Sequence, residues 1–214
     1  MMKKAILSAV CAGMVSVGAN ATLLTNGDFE TNTLTGKHWG VFNVIDGWYT
    51  SLGAGIEVQR STVVNAYSGN AYIELDSHNN SGVTQNVHTE AGQSYLLSFY
   101  YMPRTNNGGN DNGVGIFWDS LGGTTGVFSP ASSVFSISDA TRNSMPGWTH
   151  YTLELEATSD LMALSFVGQG KNNSLGAFID DVSLTRAVPA PATLALFGLG
   201  LAGLGWARRK PARS

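Results

Sequence analysis

Two groups of carboxylates sit where strand periodicity would give them chemical meaning. In Phe178-Ile179-Asp180-Asp181-Val182-Ser183-Leu184, alternation puts Phe178, Val182 and Leu184 on one face and Asp180 on that same face. A carboxylate among apolar neighbours must be neutralised, paired or metal-bound. Near the other end of the chain, Asn26-Gly27-Asp28-Phe29-Glu30 turns Phe29 one way and Asp28 and Glu30 the other. Pairing of these two terminal segments brings the acids together, and carboxylates joined by turn carbonyls form a hard-oxygen set suited to Ca²⁺. The alternative reading is that the same acids are strand-end charges solvated at a sheet edge.

Other chemistries find less support. His38, His78, His88 and His150 lack the spacing of a zinc motif. Glu74 with Asp76, and Glu154 with Glu156, are the candidate glycosidase pairs, but alternation puts each on the polar face of a half-buried strand. No G-x-S-x-G elbow positions a serine nucleophile. Aromatic rings are the remaining hint, because exposed Trp and Tyr faces stack on the apolar C–H surfaces of sugars. Trp39, Tyr49, Tyr67 and Trp118 fall in or beside loops and suit that task, whereas Trp48 and Trp148 read as core plugs. Packing of all these rings in the core or at its edges is the competing reading.

The elements that must hold these residues are short and alternating. The pattern predicts about nine strands: Leu23 to Glu30, Ile56 to Gln59, Ala71 to Asp76, Val83 to Thr89, Ser94 to Met102, Val114 to Trp118, Thr149 to Leu155, Leu161 to Val167 and Ala177 to Thr185. Ser94 to Met102 is apolar on both faces and belongs in the middle of a sheet, while Thr105 to Gly113 reads as a flexible loop. Strands at this spacing with Gly/Asn turns predict an all-β antiparallel sandwich.

The two ends of the chain are different in kind. Lys3-Lys4, the apolar segment Ala5 to Val17 and Ala19-Asn20-Ala21 have the layout of a secretory signal peptide over residues 1–21, cut before Thr22. Cys11, the only cysteine, lies inside it, so the mature protein holds together without disulfides. Residues 22–187 are one domain's worth of chain. That domain retains six of the twelve Lys and Arg against all fifteen acids, a formal charge of about −9, which argues against nucleic acid and anionic membranes as partners. Residues 188–214 form a tail in three parts: Val188-Pro189-Ala190-Pro191, an uncharged Leu/Gly/Ala run from Ala192 to Ala207, and the cluster Arg208-Arg209-Lys210. As a helix the run is about 24 Å long, slightly short of a bilayer core. The basic cluster beyond it predicts a cytoplasmic end, with the domain on the far side of the membrane.

Those three tail features resemble the PEP-CTERM sorting signal of Gram-negative bacteria, with Ala190 in place of the usual acidic residue between the prolines. The resemblance implies a single transmembrane sorting helix that anchors the chain transiently in the inner membrane. It further implies cleavage by an exosortase and delivery to the cell surface or extracellular matrix. A second resemblance is carried by Asn26-Gly27-Asp28-Phe29-Glu30, Gly47-Trp48, Ser68-Gly69-Asn70-Ala71-Tyr72, the run from Val83 to Tyr101, and Phe178 to Leu184. These look like the galactose-binding-like jelly roll that includes many carbohydrate-binding modules. In that superfamily a structural calcium is held by first-strand and last-strand acids plus loop carbonyls, which implies Glu30, Asp180 or Asp181, and the Ser68-Gly69-Asn70 turn. The expected activity is therefore non-catalytic binding of an extracellular polysaccharide. A structural matrix component without a specific ligand, or a polysaccharide hydrolase, are the alternatives.

Overall fold

The computed structural model describes residues 21–31, 34–104, 111–120, 132–138 and 147–188. The signal segment, the tail from residue 189 and most of the Thr105–Gly113 loop lie outside the described residues. Among the described residues no helix is long and apolar enough to cross a membrane.

Among the described residues, twelve strands form two six-stranded antiparallel sheets. The first sheet contains β1 (Trp39–Phe42), β4 (Ile56–Arg60), β5 (Ala71–Glu74), β12 (Phe178–Arg186), β7 (Ser94–Met102) and β10 (Thr149–Glu156), in that spatial order. The second contains β2 (Val44–Ile45), β3 (Trp48–Leu52), β6 (Gly82–His88), β11 (Leu161–Gly168), β8 (Val114–Ser120) and β9 (Phe135–Ile137). The all-β sandwich expected from alternation is the observed architecture. Ser94–Met102 is flanked on both sides, by β12 and β10, as its two apolar faces require. Inward residues of both sheets, among them Ile73, Val83, Phe99, Ile116, Phe166 and Leu184, interdigitate in one core.

Two departures from the expected strands have local causes. Leu23 to Glu30 runs beside β12 through Leu23 N–H to Leu184 C=O and Val182 N–H to Gly27 C=O, at 2.7 and 2.8 Å, but is not a strand. Asn26 and Phe29 have φ of +51° and +55°, which break an extended backbone. Gly27 is needed where this segment meets β12, since a Cβ there would collide with the Val182 carbonyl. The short strands β2 and β3 are joined by Asp46-Gly47, with Gly47 at φ +77°, a two-residue hairpin turn.

A third departure alters the site. β12 pairs with β7 in two registers, with an irregularity between Asp180 and Ser183 and Asp181 at φ +48°. The extra residue switches the faces. Ile179, Val182 and Leu184 point into the main core, whereas Phe178 joins a satellite cluster with Tyr72 and Met102. Asp180 thus shares a face with Phe178 as expected, but Val182 and Leu184 lie on the opposite one.

Candidate functional site

The acids at the two ends of the chain converge on one turn. Asp180 is fully buried, and its Oδ2 accepts hydrogen bonds from the Tyr67 and Ser68 amides at 2.8 and 3.0 Å. Its Oδ1 accepts from the Asp181 amide at 2.7 Å. Glu30 Oε1 accepts from the amides of Asn70 and Ala71 at 2.5 and 2.7 Å, and Gly69 is required just before them because a Cβ would strike the Glu30 carboxylate. Burial pushes the Asp180 pKa up to about 7, against the pull of these amides. Among the described residues Asp180 has no basic partner, and no group of three or more His, Cys, Asp or Glu is placed to hold a metal. Asp28 is exposed and accepts from the Glu30 amide, and Asp181 is half-buried at the bulge.

Beside this clamp lies a charged cluster that alternation misplaced. Glu74 and Asp76 sit on the outward face of their strand, yet they are 1% and 0% exposed. Glu74 contacts Arg104 in a short ion pair and accepts from the Gly176 amide at 3.0 Å. Gln59 Nε2 bridges Glu57 and Glu74, at 2.9 and 2.5 Å. Burial pushes Glu74 up to about 8, with Arg104 opposing. Asp76 Oδ2 accepts from the Asn173 and Ser174 amides, both at 2.9 Å. These acids bind a connecting segment over the sheet, which is why they are dry. Asn112, in the expected flexible loop, is also fully buried, and its side chain accepts from the Arg104 amide at 2.8 Å. Glu154 and Glu156 are exposed, as their strand position predicts.

The four candidate stacking rings do not form a platform. Trp118 is 7% exposed in the main core, against Tyr95, with its indole N–H on the Glu156 carbonyl. It cannot meet a sugar, because its parity on β8 points inward. Trp39 is 48% exposed, on the edge strand of the first sheet. Tyr67 is 45% exposed but stacked on Tyr100 with ring centroids 3.3 Å apart. Tyr49 lies half-buried on the second sheet, its hydroxyl on Asn86 Oδ1 at 3.1 Å. Trp48 is a core plug, and Trp148 packs half-buried against the satellite cluster.

A pocket of about 370 Å³ opens where β3 and β11 end and β6 begins, lined by Leu52, Gly53, Asn79, Asn80, Val167, Gly168, Gln169 and Asn172. Every polar side chain in it is an uncharged amide. Among the described residues, buried Asn80 Oδ1 and Gln169 Nε2 have no hydrogen-bond partner, and buried amide atoms in proteins are almost always paired. Gly115 leaves the space that the Gln169 amide fills. The pocket adjoins a hydroxyl row on the outer face of the second sheet, where Thr84 Oγ1 lies 2.8 Å from Ser51 Oγ and 2.7 Å from Ser165 Oγ. Sequence reasoning missed these residues, because Asn79-Asn80 and Asn172-Asn173 read only as turns.

Comparison with known proteins places the sandwich. The model of a family described as a protein of unknown function, DUF642, matches residues 22–185. The chain belongs to the DUF642 family. A PEP-CTERM protein-sorting motif matches residues 187–210, so this DUF642 domain carries the sorting tail its residues resemble. No curated protein matches the chain by sequence. Among solved structures, the DUF642 domain is similar to an arabinose-bound GH51 α-L-arabinofuranosidase at 17% identity and TM-score 0.51. That match covers 79% of this chain and 27% of that enzyme, so the chain spans about a quarter of the enzyme's length. The K1 cleaved adhesin domain of Lys-gingipain from Porphyromonas gingivalis W83 is similar at 14% identity and TM-score 0.50, covering 70% of this chain and 98% of that domain. The module TmCBM61, solved with β-1,4-galactotriose, is similar at 18% identity and TM-score 0.48, covering 78% and 99%. At such identities the likeness is one of fold.

Proposed function

We propose that this DUF642 protein is an exported, non-catalytic glycan-binding module, delivered by its PEP-CTERM tail to the cell surface or extracellular matrix. The observation that carries this reading is the neutral, amide-lined pocket with two buried, unpartnered amide atoms. Amides donate and accept at once, which matches the hydroxyls of a neutral sugar. Its volume falls at the low end of small-molecule sites, roughly 300–1,000 Å³. Tyr49, half-buried on the same sheet, offers a further hydroxyl, whereas Thr84 and Ser165 are buried and satisfy each other. The buried acids serve folding in this reading, since Glu74 and Asp76 hold a loop and do not face each other across an open cleft.

Calcium belongs to the same proposal. Glu30 and Asp180 would hold it at the 67–71 turn, with Asp28 and Asp181 flanking. What supports the fit is a fully buried carboxylate without a basic partner, placed on the same turn as a second acid. The ion would supply the missing positive charge and lock the two ends of the chain onto that turn.

Binding is tested with the exported chain on a glycan array and in pull-downs with host exopolysaccharide. Saturable binding that weakens at least tenfold in Gln169→Ala/Asn172→Ala is the expected outcome. Binding untouched by those changes but abolished by Trp39→Ala would move the site to the edge of the first sheet. A folded chain that retains no polysaccharide would leave the protein a structural component.

A further inference from the structure

Away from the pocket, the outer face of the first sheet carries a pair of tyrosines in an uncommon arrangement. Tyr67, on the turn that Asp180 and Glu30 hold, lies flat against Tyr100 of β7, with ring centroids 3.3 Å apart and planes 15° from parallel. Aromatic pairs usually keep their centroids about 4.5–7 Å apart, offset or edge-on. Here the hydroxyls meet as well, the Tyr67 O–H donating to the Tyr100 oxygen at 2.7 Å. Rings stacked with their hydroxyls together are in register, so the carbons ortho to those hydroxyls lie in van der Waals contact. From the β10 side His150 stacks on Tyr100 at 4.7 Å, with its Nε2 2.7 Å from Ser98 Oγ. Tyr67 is 45% exposed, so an oxidant in solution reaches the pair. The other five tyrosines are placed differently: Tyr72, Tyr95 and Tyr101 are buried, Tyr49 bonds Asn86, and Tyr151 stacks on Phe99. Tyr101 does touch Tyr151, but edge to face at 6.0 Å.

We propose that Tyr67 and Tyr100 are a modification site, joined by a haem-peroxidase-type oxidant and hydrogen peroxide into an intrachain dityrosine. Each phenol gives up one electron and one proton, and the two electrons and two protons reduce one peroxide to two waters. The two phenoxyl radicals pair, forming a carbon–carbon bond between their ortho carbons. Each of those carbons then releases its hydrogen as a proton while each ring oxygen takes one up, which restores both phenols. The protein loses two hydrogen atoms in all. With Cys11 as its only cysteine the chain has no internal disulfide, and this bond supplies a covalent staple instead. It joins residues 33 apart and ties the turn that seats Glu30 and Asp180 to an interior strand of the first sheet. A crosslink of that span stabilises chiefly by restricting the unfolded chain. The site is independent of what the pocket binds.

The test oxidises the purified full chain in detergent with a haem peroxidase and limiting hydrogen peroxide. Dityrosine fluorescence is read on the monomer after gel separation, and the linked peptides are identified by mass. A Tyr67–Tyr100 link at least tenfold more abundant than any other tyrosine pair is expected. Tyr67→Phe keeps the stacked ring and should lower the monomer fluorescence at least fivefold, whereas Tyr49→Phe should leave it unchanged. The linked chain should melt about 5 °C or more above the unlinked one. No link, links chiefly between chains, an equal yield from chain unfolded in urea, or fluorescence untouched by Tyr67→Phe overturns the site. A linked chain that melts no higher overturns the staple.

Discussion

At the scale of single residues, burial reassigns the acids. Asp180 holds its proton more tightly in the folded chain, with a pKa near 7 against an ordinary 3.8. Its contribution to stability is therefore fullest below about pH 4 and is lost as pH rises to about 7, by up to about 4 kcal/mol. In EDTA the melting temperature should fall between pH 5 and pH 8, and less so in Asp180→Asn. On the proposed calcium reading, the ion should reverse the wild-type fall by holding the ionised carboxylate; calorimetry at the two pH values, with and without the ion, measures both. Arg104 poses a related case. Its removal leaves Glu74 buried without its cation, and Arg104→Ala should cost about 2–4 kcal/mol in urea unfolding. The loss should be greater at pH 9 than at pH 6, since Glu74 has its pKa near 8 and takes up a proton at the lower pH. The rings separate in the same way: Trp118→Ala should cost about 3–5 kcal/mol, and Trp39→Ala should stay within about 0.5 kcal/mol.

At the scale of elements, the bulge in β12 does most to shape the site. Strict period 2 would carry Asp180, Val182 and Leu184 on one face, and an inserted residue cannot be read from alternation alone. The bulge lets Val182 and Leu184 fill the core while Asp180 turns outward beneath the 67–71 turn. The N-terminal segment depends on the same strand. Gly27→Ala forces a methyl into the Val182 carbonyl, and a loss of about 2–3 kcal/mol in denaturant melts, with a weaker response to calcium, is expected. Eight of the nine expected strands appear with small shifts in their ends, because each has a clear alternating pattern. Those missed were short: β1, β2, β3 and β9 have two to five residues each, too few for a period to register. Asp46-Gly47 is a hairpin signal, but the strands it joins, β2 and β3, are too short to show alternation.

At the scale of the whole molecule, antiparallel pairing fixes what lies at each end. β6 and β11 run opposite ways, so the start of one and the end of the other form the pocket rim. Their other ends meet the turn at residues 89–93, beside Ala187. Spacer residues inserted between Ala187 and Pro189 should leave the melting temperature in a thermal melt within about 1 °C, as they interrupt no bonded element.

The sequence alone determined the fold class and the presence of the PEP-CTERM tail, because alternation, turn residues and a sorting motif are local patterns. It also brought forward Glu30 and Asp180, the two acids that meet on one turn. Only the tertiary structure decided which polar residues are dry. Glu74 and Asp76 alternate like solvated acids, and it is the segment folded over them from almost a hundred residues away that excludes water. The pocket has the same origin: Asn79 and Asn80 join Gln169 and Asn172 through the β6–β11 pairing. Contacts between distant segments leave no periodic trace in either one.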